Sequence, residues 1–183
     1  MKPRHLNRFL TAAVFTMTAC AQAASLTWDS DATYSNGSTD GAGTWNNALL
    51  NWNNGAADVA WPNSAADTAI FGAGGTAGTV TVSGTLNVGT INFNSGTTGD
   101  YTVTGGTLVG LGQINGGGAS PTVASDIHNS GTLYIRGGGT VTIAGAGANT
   151  GNFNVDNATA VLSKSPGVNA LTLKRKMGSV REA

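Results

Sequence analysis

Cysteine is nearly absent: Cys20 is the only one, and it lies in the leader, so no disulfide can brace the mature domain. Cations are almost as scarce. Residues 24–163 hold eight Asp, no Glu, no Lys and only Arg136, a local charge of −7 in a chain that sums to zero. Nucleic acid and anionic membrane surfaces both require a basic face, so neither is expected as a partner. No apolar run, the leader's included, is long enough to span a bilayer, so the mature chain is expected to have no membrane span. Beyond the leader His128 is the only histidine, which leaves no zinc cluster. Neither Gly116-Gly117-Gly118 nor Gly137-Gly138-Gly139 is followed by Asp at the spacing of a calcium-binding solenoid repeat. A helical period is missing as well, because nothing between Leu26 and Leu162 keeps a 3.6-residue spacing for three turns.

What is present begins with export syntax. Lys2, Arg4 and Arg8 precede an uncharged run over residues 9–20, and Ala21-Gln22-Ala23 supplies the small residues that signal peptidase reads. Residues 1–23 therefore read as a signal peptide, and the mature chain is expected outside the cytoplasm: extracellular, at the cell surface, or in the periplasm. ATP, NAD(P)H and reducing thiols are not at hand there, and no cofactor is expected. An alternative makes Cys20 the lipidated first residue of a lipoprotein, although Met17 and Thr18 fit the recognition box poorly.

The remaining body is unusual in composition, with 26 Gly, 21 Thr and 16 Asn in residues 24–163. After residue 67, apolar residues alternate at a spacing of two in short bursts cut by Gly, Asn or Ser, the pattern of strands with one buried face. The bursts include Val80 and Val82, Leu86 and Val88, Ile91 and Phe93, Tyr101 and Val103, Leu133 and Ile135, Val141 and Ile143, Phe153 and Val155, and then Val161. They recur at a longer, nearly constant interval: Val80 to Tyr101, Tyr101 to Val123, Leu133 to Phe153, Val141 to Val161. That interval fits one turn of an all-β, right-handed parallel β-helix or β-solenoid, in which inward Val, Ile, Leu and Phe stack into one core. Gly and Asn supply the positive φ of tight corners, and stacked Asn can hydrogen-bond along the axis. A β-sandwich is the structural alternative. A solenoid's open ends expose strand edges, so self-association through them is expected unless they are capped.

Residues 24–71 differ from the rest and hold all four Trp, Trp28, Trp45, Trp52 and Trp61. The expected organisation is a signal peptide over 1–23, a Trp-rich N-terminal cap over 24–71, solenoid repeats over 72–171 and a basic tail over 172–183. Four indoles can bury a large area on a small element, sealing the first turn. Exposed, they would instead form a sugar-stacking platform.

The order leader, Thr27-Trp28-Asp29, Gly43-Thr44-Trp45, Asn51-Trp52, Asp67-Thr68-Ala69-Ile70-Phe71, then Gly78-Thr79-Val80-Thr81-Val82 resembles the start of large exported bacterial proteins built from autotransporter-associated β-strand repeats. Gly139-Thr140-Val141-Thr142-Ile143-Ala144-Gly145 through Phe153-Asn154-Val155 to Lys164 is similar to one such repeat, and residues 164–171 look like the link to the next. The resemblance implies a β-helical passenger domain. Relatives usually continue through many repeats to an outer-membrane barrel or sorting tail, whereas here the pattern breaks into Lys174-Arg175-Lys176-Met177 and Arg181. A frameshift, early stop or fragmentary gene model is the expected explanation, and a basic docking tail is the functional alternative.

Catalysis has few candidates. Asp100, Asp126 and Asp156 are the only carboxylates in the repeats, and each is more than one repeat interval from the next, so they need not share a face. Glycoside hydrolysis needs two carboxyl groups within roughly 5 to 10 Å. Asp126-Ile127-His128-Asn129 puts an acid and an imidazole on one side of a strand, with Arg136 not far along, but supplies no nucleophile or orienting third group. Gly110-Leu111-Gly112-Gln113-Ile114-Asn115-Gly116 resembles a nucleotide loop superficially, and without a following helix it reads as a turn. No catalytic, cofactor-binding or metal-binding residue is therefore assigned. The expected function is a non-enzymatic, adhesin-like solenoid whose Thr and Asn rows meet extracellular glycans or neighbouring cell surfaces. A carbohydrate-active β-helix enzyme using Asp126 and His128, and a Trp-based sugar-binding module, are the competing classes.

Overall fold

The structure, a computed structural model, describes residues 23–147, 151–165 and 167–168. Cys20, the rest of the signal peptide before residue 23, and the basic tail lie outside those residues.

The strands in chain order are β1 (Ser25–Trp28), β2 (Gly43–Trp45), β3 (Trp52–Asn53), β4 (Asp58–Val59), β5 (Thr68–Phe71), β6 (Thr79–Val82), β7 (Thr85–Asn87), β8 (Thr90–Phe93), β9 (Thr102–Thr104), β10 (Thr107–Val109), β11 (Gln113–Asn115), β12 (Thr122–Val123), β13 (Asp126–His128), β14 (Thr132–Arg136), β15 (Thr140–Ile143), β16 (Asn152–Val155) and β17 (Thr159–Leu162). The only helical piece among the described residues is a single 3-10 turn at Tyr34–Asn36. Three sheets result, in the orders β16-β14-β11-β8-β5-β1-β3-β4, β17-β15-β12-β9-β6-β2, and β13-β10-β7. Each order climbs in steps through the chain and nearly every pairing is parallel, so the backbone winds through the sheets in turn and stacks on itself. This is a parallel β-solenoid, not two facing sheets. The two antiparallel pairings, β1 with β3 and β3 with β4, lie at the N-terminal end of the first sheet.

Alternation in the sequence becomes ladders in the structure. On the first sheet Leu26, Ala69, Ile91, Ile114, Ile135 and Val155 sit in register from strand to strand. Val80, Val103, Val123, Ile143 and Leu162 do the same on the second sheet, and Leu86, Leu108 and Ile127 on the third. A period of two puts every inward tooth on the same wall, and parallel in-register stacking makes each tooth meet its counterpart above and below. The ladder residues from Leu26 to Ile143 are buried, whereas Val155 is 48% and Leu162 38% exposed because no described strand stacks beyond β16 and β17. Those two strands carry the unpaired edge that a solenoid's open end entails.

The register departs from the repeat read off the sequence at three of its four intervals, since Val123 too pairs with Val103 and not with Tyr101. Leu133 stacks on Phe153 as the interval implies. Val80, however, pairs with Val103 and not with Tyr101. Val141 meets Ala160, which leaves Val161 on the outer face beside Thr142 and 42% exposed. The offset between stacked residues is not constant: the step from Thr140 to Thr159 is shorter than the step from Thr90 to Gln113. Corners, which carry no alternation, absorb the difference.

Corners also explain the glycine content at particular positions. Gly117 has φ of 59°, and a Cβ there would strike the carbonyl oxygen of Phe93 in the turn below. Gly117→Ala is expected to cost at least about 2 kcal/mol from left-handed strain plus backbone clash, read as a lower urea midpoint. A midpoint unchanged from the parent would contradict this packing of the corner.

Candidate functional site

The four indoles are the first candidate, and all are inside. Trp28, Trp45 and Trp52 have no exposed surface and Trp61 keeps 2%. Their ring centres lie 4.7 to 5.2 Å apart in edge-on or tilted contacts, and Phe71, Phe93 and Tyr101 extend the cluster into the next turns. Trp28 donates Nε1–H to the carbonyl of Gly41 and Trp61 to that of Asn87, while Trp45 and Trp52 leave Nε1–H unpartnered. With no indole face open, the cluster offers nothing for a sugar to stack on.

Buried acids at the same end escaped the sequence reading. Asp40, 8% exposed, accepts N–H bonds from Gly72 (3.2 Å), Ala73 (2.9 Å) and Gly75 (2.7 Å). It also accepts the hydroxyl of Tyr101, whose oxygen in turn accepts N–H from Gly41. Burial, and then the bond to Asp40, push the Tyr101 phenol upward in pKa. One carboxylate thus fastens separate stretches of chain. Asp67 acts similarly, taking N–H from Ala24 at 2.9 Å and from Ser64 at 3.0 Å. These are fasteners, since each oxygen with a bond serves the fold. The available signal was weak: in a body this poor in charge, an acid next to Gly-rich corners is a natural acceptor for loop N–H groups.

The catalytic candidates are dispersed. Asp126 and His128 do share the outer face of β13, as the spacing implies. Asp126, however, accepts N–H from Gly147 at 2.7 Å, and Lys164 donates to the carbonyl of Gly147 at 3.0 Å. Burial lowers the Lys164 pKa, and the charge of Asp126 acts against that shift. The Asp126 carboxylate therefore holds a loop. His128 lines an open depression of 580 Å³ with Val109, Gly110, Asn129, Ser130 and Gly151. None of those neighbours is an acid or a base. Arg136 belongs to the first sheet, where Asp156 lies 3.4 Å from its Nε. Asp100 sits before β9 and accepts N–H from Ser120 at 2.7 Å. Among the described residues no three His, Cys, Asp or Glu side chains are grouped to hold a metal. The Gly-rich stretch from Gly110 is a turn only as far as Gly112. Gln113–Asn115 is strand β11, paired on both sides.

The outer face of the first sheet is the remaining polar surface of note. Asn115 donates through Nδ2 to Asn92 Oδ1, and Gln113 through Nε2 to Asn115 Oδ1 at 3.0 Å. Arg136 donates to Gln113 Oε1 at 3.5 Å and lies 4.4 Å from the ring centre of Tyr134.

With this geometry in view, the likeness to known proteins is informative. Over 159 residues, 84% of the chain, it is 34% identical to the adhesin BmaC autotransporter of Brucella suis biovar 1 (strain 1330). That stretch is 4% of the relative, so the chain spans a small part of the length of the curated protein it matches. Together the match and the stacked solenoid support an autotransporter passenger-type protein. No family model matches the chain, and no solved structure does.

Proposed function

We propose that the chain serves as an exported, non-enzymatic, adhesin-like solenoid at the cell surface, meeting extracellular glycans or neighbouring cells through its polar exterior. One observation carries this reading. Three inward ladders are apolar throughout, Asp126 and Asp100 outside them are tied to backbone N–H groups, Arg136 and Asp156 are paired with each other, and His128 faces a depression whose other lining residues include no acid or base. The likeness to a protein described as an adhesin supports the same conclusion. In this reading the open edge of β16 and β17 is where a further turn or a second copy pairs.

The test couples the purified chain to beads and measures their retention on immobilised glycans, with polysaccharide cleavage assayed in parallel. Retention without release of reducing ends is expected. Release of reducing ends that Asp126→Ala abolishes would overturn the proposal in favour of an enzyme.

A further inference from the structure

The outer faces of the first two sheets differ in a way that stacking does not require. On the second sheet one outward row runs Thr79, Thr102, Thr122, Thr142, and the other begins Thr44, Thr81, Thr104. The same short hydroxyl recurs because a β-branched side chain suits a pleated surface and nothing further is demanded of it. On the first sheet one row opens with Thr68 and Thr90 but then becomes Gln113, Tyr134 and Asn154. Its neighbour runs Ile70, Asn92, Asn115, Arg136. This face thus carries amides, a phenol and a guanidinium in positions where Thr suffices on the second sheet. Arg136 is also the only cation in residues 24–163.

Those side chains are held in place before any ligand arrives. The chain of contacts runs from Asn92 through Asn115 and Gln113 to Arg136, which is braced by the Tyr134 ring and by Asp156. Ordering such side chains on binding costs conformational entropy, and here most of that ordering is already present. A flat patch of amides, a guanidinium and a phenol presents donors and acceptors side by side, which suits vicinal hydroxyl groups.

Charge narrows the class. With a net −7 over residues 24–163, the field around this body repels polyanions, and Asp156 offsets the one guanidinium at the patch itself. We propose that the outer face of β8, β11 and β14, centred on Gln113, Tyr134 and Arg136, is a binding surface for an uncharged saccharide chain. This inference rests on the adhesin-like reading above and gives it a location.

The experiment measures the whole chain against an array of uncharged hexose and N-acetylhexosamine oligosaccharides, with uronate oligosaccharides as the charged comparison. Tyr134→Ala and Gln113→Ala are each expected to weaken the best neutral ligand by about tenfold, the size of one good polar or aromatic contact. Thr102→Ala, on the second sheet, is the control and is expected to leave binding unchanged. Melting curves of every variant separate lost binding from lost fold, and if Tyr134→Ala melts early, Gln113→Ala decides. Neutral-glycan binding by the parent that survives both substitutions sinks the inference and leaves the adhesin-like reading standing. Preference for uronates also sinks it. Absence of binding to any glycan or cell surface removes both.

Discussion

Trp52→Ala is expected to lower the stability of the chain by about 3–5 kcal/mol, the range for removing a large aromatic from a packed interior. Trp52 has no exposed surface, and its ring centre lies 5.2 Å from Trp28, 5.0 Å from Trp45, 4.7 Å from Trp61 and 5.5 Å from Phe71. No other ring among the described residues meets all four of those. It sits on β3, which lies antiparallel between β1 and β4 where the parallel stack ends. A hole there has no neighbouring turn to collapse into it. Domains of this kind have only about 5–15 kcal/mol in total, so the variant should be close to unfolding at 37 °C. Trp52→Phe tests the cause. It keeps a ring in the cluster and removes the buried, unpartnered Nε1–H. Deleting an unpaired buried donor recovers about 1–3 kcal/mol, which offsets part of the lost volume. Urea unfolding followed by far-ultraviolet circular dichroism reads both variants without depending on indole fluorescence. Equal losses for Ala and Phe, or a loss for Ala under about 1 kcal/mol, would mean that the cluster does not hold this end.

Much of this architecture could be read from the sequence because a strand with one buried face writes its geometry in a period of two. Val80 and Val82, or Val141 and Ile143, read as paired teeth, and their recurrence at a near-constant longer interval favours turns of a winding chain over a β-sandwich. Register was less legible. Tyr101 falls on the expected interval from Val80, yet the turn there is longer than that interval, so Val103 takes the place opposite Val80 and Tyr101, still buried, bonds Asp40 through its hydroxyl. Nothing local in Asp100-Tyr101-Thr102 signals that bond. Val161 and Ala160 exchange places for a similar reason, since the corner before β17 is shorter than the repeat implies and every side chain of the strand changes face.

The surface was legible only in composition. Thr and Asn rows follow from alternation, but the concentration of Gln113, Tyr134, Asn115 and Arg136 on one face depends on which outward position of β11 lies under which of β14. Asp126 and His128 were placed correctly on a shared face. What was not visible is that Gly147 occupies the carboxylate. Long-range backbone donors leave no trace in a local pattern, so acids that fasten loops look identical in sequence to acids that do chemistry.

Asp29 gives the second large effect, and its sign is opposite to that of an ordinary carboxylate. The residue has no exposed surface, its Oδ1 accepts N–H from Thr39 at 3.1 Å, and its Oδ2 has no partner. Both oxygens of Asp58 are likewise buried without a partner. The two described Lys and Arg residues, Arg136 and Lys164, lie several strands up the stack and cannot compensate. Desolvation first, opposed by the Thr39 bond, and then the charges of Asp58 and of exposed Asp31, raise Asp29 from 3.8 to about 6. A folded-state value above the unfolded one means that the folded chain binds more protons between those two pH values. Stability from this group is therefore full below about pH 4 and is lost as pH rises through about 6. The loss should amount to about 3 kcal/mol by the free energy of such a shift. Asp29→Asn replaces the charge with a neutral amide able to donate toward the Asp58 carboxylate. At pH 7.5, with chelator present, this variant is expected to melt higher than the parent, and the gap should close as pH falls to 4. The difference between the two curves isolates Asp29 from every other titrating group. A variant that melts lower at pH 7.5, with a gap that does not change with pH, would show that Asp29 is stabilised in its charged form.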